Sequence, residues 1–185
     1  MTPQKKIIIL LILLTFSCFM NLSAEEAVVE AETLLSRSGI HAGEVFKLAV
    51  KLKISIAWHI NANPVSDEFL LPTTFVIEEN ENIRTLGTFY PQPKKGKFEY
   101  SEVELEIYSG QIILGALIQS AQDLAPGILK IKGKVSYQAC NDRFCLPPKS
   151  LELEVLAKII PASEPAEEIN QDIFSKMEFE KSGSS

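Results

Sequence analysis

Between residues 44 and 158 the apolar and polar positions alternate in short runs with a period of two. From Phe46 to Ile56 every even position is apolar, while Lys47, Lys51, Lys53 and Ser55 occupy odd ones. Successive side chains of a strand point to opposite faces, so this run predicts a strand with one buried and one wet face. The pattern recurs, with odd parity, in Val103 to Tyr108, Leu129 to Tyr137 and Leu151 to Val155. Thr74 to Ile77 and Ile112 to Ile118 are denser in apolar residues, which suits burial on both faces. Turn signals separate the runs at Gly39 to Gly43, Asn61 to Pro64, Pro91 to Gly96, Ser109-Gly110 and Ala125 to Gly127. Helical three-four periodicity is absent from residues 44 to 158. Seven or more short strands at this spacing predict an all-β fold, an immunoglobulin-like antiparallel β-sandwich.

The two ends read differently. Lys5 and Lys6 precede the apolar run Ile7 to Phe16, and Asn21 to Ala24 offers small residues before Glu25-Glu26. This predicts a secretory signal peptide over residues 1–24, too short for a membrane span. The rival reading is a lipoprotein signal with Cys18 as the lipid anchor. Either leads to the periplasm. From Pro161 the chain is rich in Pro, Ser and Glu, with a weak amphipathic stretch from Ile169 to Phe179. That composition predicts an acidic linker or disordered tail over residues 161–185. Residues 25–160 then suffice for one domain with a real core.

Charge narrows the classes of partner. The formal net charge is −6, and loss of Lys5 and Lys6 with the leader makes it more negative still. No basic cluster offsets it, which excludes nucleic acid as a natural partner.

The sequence has three cysteines. Cys18 falls in the leader, which leaves Cys140 and Cys145, an even count in an oxidising compartment. The strand ending near Tyr137 leads into Cys140, and the next strand leaves after Cys145. The turn-forming Asn141-Asp142 lies between them, so the pair sits where two antiparallel segments meet. Opposed Cα atoms there lie about 4.5 to 5.5 Å apart, within the reach of a disulfide. Pro147 and Pro148 withhold ladder donors and predict a sheet edge just beyond Cys145. A loop this short confers only about 2 kcal/mol through chain entropy. Spacing alone leaves three readings open: a redox pair, a structural staple, or half of a metal site.

The metal reading needs further ligands, and His41 and His59 are the only histidines. Both are distant from the thiols and from each other, without ligand-like spacing. Copper(I) would favour thioethers, yet only Met177 lies beyond the leader. The sequence therefore predicts neither metal nor cofactor.

The segment Tyr137-Gln138-Ala139-Cys140, followed by Phe144-Cys145-Leu146-Pro147-Pro148, resembles the active-site motif of the DsbD N-terminal domain family of thiol:disulfide interchange proteins. Trp58 to Pro64 followed by Leu71-Pro72, and Gly110 after Glu106 to Tyr108, are similar to segments of the same family. The resemblance spans most of residues 26–158 and implies an immunoglobulin-like sandwich. It implies a periplasmic domain that receives electrons from a thioredoxin-like domain or membrane electron carrier and passes them to oxidised periplasmic thiol proteins. Carried over by position, Cys145 forms the mixed disulfides and Cys140 resolves them. An aromatic-tipped loop caps the pair in such domains, and Phe98 or Tyr100 within Lys97 to Tyr100 occupies the corresponding place. Tyr137, Phe144 and Trp58 complete the implied surroundings. The chain departs from the family's best-known pattern in having four residues rather than five between the cysteines, and in its cap sequence. The membrane and thioredoxin-like domains of the family's full-length members are missing from the sequence. The competing reading is a non-catalytic immunoglobulin-like binding module with a structural Cys140–Cys145 disulfide.

Overall fold

A computed structural model describes residues 27–181. The expected leader, its cleavage point and the Cys18 anchor lie outside the described residues. In chain order the strands are β1 (Val29–Leu35), β2 (Val45–Ile54), β3 (His59–Asn61), β4 (Thr74–Ile77), β5 (Ile83–Phe89) and β6 (Lys94–Gly96). There follow β7 (Leu105–Tyr108), β8 (Gln111–Ser120), β9 (Gly127–Tyr137), β10 (Ala139–Cys140), β11 (Lys149–Ile159) and β12 (Glu180–Lys181). A single short helix, α1 (Gln171–Phe174), stands between β11 and β12 among the described residues.

Alternation along the chain sets the layers. In β2 the side chains of Phe46, Leu48, Val50, Leu52 and Ile54 are buried, while Lys51 and Lys53 point outward. The register places Lys51 opposite Glu32 and Lys53 opposite Glu30, and the ammonium groups reach those carboxylates at 2.7 and 3.5 Å. These exposed pairs are worth little energy but penalise a slipped register. In β9, Leu129, Ile131, Val135 and Tyr137 are buried between outward lysines.

One sheet has the order β1-β2-β8-β5-β12. A second has the order β11-β9-β4, and a third β10-β3-β7-β6. Because β9 passes through Gln138 directly into β10, the second and third sheets share one run of chain. They form the layer facing the five-stranded sheet. A single apolar cluster joins Phe46 and Leu48 of β2 and Leu114 of β8 to Ile60, Phe75, Tyr108, Ile131 and Val135 of the opposite layer. The fold is an antiparallel, immunoglobulin-like β-sandwich. Every pairing between its named strands is antiparallel.

Three local departures from the alternation pattern have physical causes. The strand expected from Val103 begins at Leu105, because Ser101 Oγ bonds both the amide and the carbonyl of Val103 and holds a turn. The strand expected to reach Ile56 stops at Ile54, where the chain turns and leaves Ile56 97% exposed. The run Thr74 to Ile77 buries only Phe75 and Ile77 among its apolar residues and turns Val76 to solvent.

The segment after residue 160 departs most from expectation. It is neither linker nor disordered tail as far as Phe179, but packs across the outer face of the five-stranded sheet. Phe174 and Met177 are buried there with Ala49, against Leu34, Phe89, Ile113 and Phe179. Asn170 Nδ2 donates to the Leu35 carbonyl at 2.9 Å, and Lys47 Nζ to the Phe174 carbonyl at 3.1 Å. Gly115 makes the approach possible, since a Cβ there would stand 3.0 Å from Met177 Sδ and 3.1 Å from the Phe179 ring. This covering explains the double apolar face of Ile112 to Ile118. Few apolar residues spread over a polar segment carry a weak periodic signal, yet they suffice when a sheet face awaits them.

Candidate redox site

Cys140 and Cys145 are joined in a disulfide with an S–S distance of 2.00 Å and Cα atoms 4.0 Å apart. Cys140 ends β10, and Cys145 opposes it in an isolated antiparallel bridge. The Asn141 amide donates to the Phe144 carbonyl at 3.0 Å, and the Leu146 amide to the Ala139 carbonyl at 2.8 Å. Those bonds flank the cysteines, which makes them a non-hydrogen-bonded pair, the type that brings opposed side chains closest. Asn141 Oδ1 accepts from the amides of Arg143 and Phe144 at 2.9 and 3.0 Å, so its side chain builds the turn between them. On the other flank β10 pairs with β3, with Cys140 opposite His59. Cys145, Cys140 and His59 therefore form one row across the end of the four-stranded sheet, with Cys145 outermost. Cys140 is wholly buried and Cys145 is half-buried.

Aromatic rings stand on both sides of this row. Phe144 is 52% exposed and meets Trp58 edge-on, with centroids 5.9 Å apart. Phe98 stacks on His59 at 4.0 Å between centroids, and its ring also runs parallel to that of Tyr100, with centroids 5.5 Å apart. The Tyr100 hydroxyl and His59 Nε2 are hydrogen-bonded at 2.7 Å. Phe98 fits because residue 96 is glycine: a Cβ at Gly96 would lie 2.6 Å from Phe98 Cζ. The loop between β6 and β7 is thus held over His59, the cross-strand neighbour of Cys140. Tyr137 differs from the other expected surroundings, since its ring belongs to the main core.

Burial shapes the titration of these groups. Desolvation lowers the His59 pKa below its ordinary 6.5, with the Asp142 carboxylate opposing it. Burial, reinforced by Asp142, pushes the Tyr100 phenol up to about 12. Burial raises Tyr137 as well.

The metal-ligand role weighed above for His59 is not the one its position suggests, and nothing in the sequence around it signals its place beside Cys140. The two are 81 positions apart, and only the β3–β10 pairing unites them. His41 is engaged elsewhere, with Glu44 at 3.3 Å and the Glu164 carbonyl at 2.9 Å. Among the described residues no three His, Cys, Asp or Glu side chains cluster as a metal site would require.

The sequence profile of the family described as "Thiol:disulfide interchange protein DsbD, N-terminal" matches residues 26–157. The chain belongs to the DsbD N-terminal domain family. Among solved structures, the N-terminal periplasmic domain of ScsB from Proteus mirabilis is similar with a TM-score of 0.51 at 8% identity. That alignment covers 82% of this chain and 53% of the ScsB chain. The reduced Neisseria meningitidis DsbD N-terminal domain aligns over 75% of this chain and 88% of its own, with a TM-score of 0.42 and 11% identity. At such identity the ScsB likeness supports the sandwich fold alone. No curated protein matches the chain in sequence. Among the described residues, no helix of this family member is long and apolar enough to cross a membrane.

Proposed function

We propose that this chain is a periplasmic thiol–disulfide exchange domain, with Cys145 as the attacking cysteine and Cys140 as the resolving one. The observation that carries the reading is the unequal burial of the pair at a sheet edge: Cys140 is 0% exposed, whereas Cys145 is half-buried beside the exposed Phe144. A partner's sulfur reaches Cys145 first.

The chemistry follows from thiolate exchange. In the reduced domain the Cys145 thiolate attacks a disulfide of an oxidised periplasmic protein, forming a mixed disulfide and releasing one acceptor thiolate. Cys140, as thiolate, then attacks the Cys145 sulfur. The Cys140–Cys145 bond forms, the mixed disulfide breaks, and the second acceptor thiolate leaves. Two electrons have passed to the acceptor. A dithiol donor, a thioredoxin-like domain or a membrane electron carrier, restores the domain by the reverse sequence. Phe144 and Trp58 form the apolar rim that such partners meet, and the Phe98–Tyr100 loop restricts access from the inner side.

The test is a Cys140→Ser variant with a reduced Cys145 thiol, incubated with a thioredoxin-like partner in its disulfide form. It is expected to accumulate a mixed disulfide through Cys145. A folded variant with a titratable Cys145 thiol that traps no partner overturns the proposal. A reduction potential below about −300 mV would point instead to a structural disulfide in a binding module.

A further inference from the structure

We propose that His59 is the general base that takes the proton from Cys140 in the resolving step. The inference rests on the exchange reading above and assigns a role to a side chain that reading leaves unused.

A thiol attacks only as thiolate, and burial disfavours that charge. Cys140 is fully buried, so in the mixed disulfide it stays protonated unless a base is at hand. His59 is the only buried imidazole, carboxylate or cationic side chain among the described residues, at 4% exposure. It sits directly across from Cys140 in the β3–β10 register. Paired residues of antiparallel strands have Cβ atoms about 5 Å apart on the same face, close enough for imidazole and thiol to meet. Nε2 is held by the Tyr100 hydroxyl, which leaves Nδ1 as the ring nitrogen for the thiol.

Titratable groups face His59 from three elements: Cys140 from β10, Tyr100 from the β6–β7 loop and Asp142 from the cysteine turn. Burial keeps the imidazole neutral and ready to accept, while the Asp142 carboxylate favours the imidazolium once formed. Tyr100 stays protonated, and its hydroxyl oxygen accepts from the proton-bearing Nε2 of the neutral ring, which leaves Nδ1 unprotonated. The step balances as follows: the Cys140 proton moves to His59, the Cys140 sulfur bonds to Cys145, and the acceptor thiolate departs with the electron pair. The imidazolium then loses its proton to solvent.

The experiment uses reduced protein and a chromogenic aryl disulfide that releases nitrothiobenzoate. The mixed disulfide on Cys145 is formed at low pH, and a pH jump starts release of the second equivalent by Cys140. In the parent protein the second release is expected to level off near neutral pH. In His59→Gln it is expected to be about 10²-fold slower at neutral pH. It should then rise about tenfold per pH unit and approach the parent only about two pH units higher, at or above the ordinary thiol pKa of about 8.5. Parent-like second release in His59→Gln overturns the proposal, as does equal slowing at every pH. Should the variant not fold, the parent profile decides alone: a rise of tenfold per pH unit without a neutral plateau overturns the proposal. If the parent gives no second equivalent at all, the exchange reading itself fails.

Discussion

His59 Nε2 and the Tyr100 hydroxyl stand 2.7 Å apart, across 41 positions of chain, and Phe98 of the same loop stacks on the imidazole. The contact anchors a loop that β6 and β7 alone would leave loose. It also gives the fold a pH signature. The unfolded chain binds a proton at the ordinary 6.5, whereas native His59 binds one only at lower pH. Below 6.5 the unfolded state therefore holds more protons, and stability falls with falling pH until native His59 is protonated too. Urea unfolding between about pH 7 and pH 5 should show the parent losing stability relative to His59→Gln. A constant difference across that range would refute the assignment.

Tyr100 gives the opposite sign at high pH. Its folded pKa is about 12 against 10 when unfolded. The unfolded phenol ionises first, so its contribution is intact below 10 and is lost as pH rises through about 12. Tyr100→Phe should lack this alkaline loss, which parallel unfolding curves for the two proteins would reveal.

The fit of Phe98 over Gly96 predicts that a β-branched side chain at residue 96 uncovers the site. Gly96→Val should push the ring off His59 and speed reduction of the disulfide by dithiothreitol about tenfold, as should Phe98→Ala. Quenched alkylation followed over time measures the rate. Unchanged rates in both variants would mean the loop does not restrict access.

Reduction should cost the fold little. The cysteine loop is short, and chain entropy alone assigns it about 2 kcal/mol. Denaturant unfolding of the oxidised and reduced forms should differ by about that amount, with the sandwich intact in both. Collapse of the fold on reduction would mark the bond as a structural staple.

The packed C-terminal segment predicts a stability effect far from the cysteines. Phe174 is 4% exposed against Ala49 and Ile113, so Phe174→Ala should cost about 3 kcal/mol. Thermal and urea unfolding check this. A loss below about 0.5 kcal/mol, the level of an ordinary surface substitution, would show that the segment adds nothing to the fold.

Much of the sandwich is legible in the alternation of β2, β9 and β11, because a half-buried strand must place apolar residues at every second position. The short strands are not. His59 to Asn61 and Lys94 to Gly96 carry no period in three residues, and their pairing is decided by the long strands beside them. The docked segment from Ile169 to Phe179 was hidden for a related reason: its few apolar residues gain meaning only from the open face of β8 and Gly115 within it. At the site, the cysteine pair and its turn are written locally, since Asn141 and the two thiols lie within six residues.

The sequence by itself determined the all-β class, the position and buried face of the main strands, and a close pair of thiols at a sheet edge. These depend on side-chain period and short-range turn chemistry, which a linear chain carries on its face. Tertiary structure alone decided which cysteine is buried, which ring stacks on His59 and that His59 stands beside Cys140. Those relations join β3, β10 and the β6–β7 loop across dozens of residues, and nothing local fixes them until the two layers close on a common core.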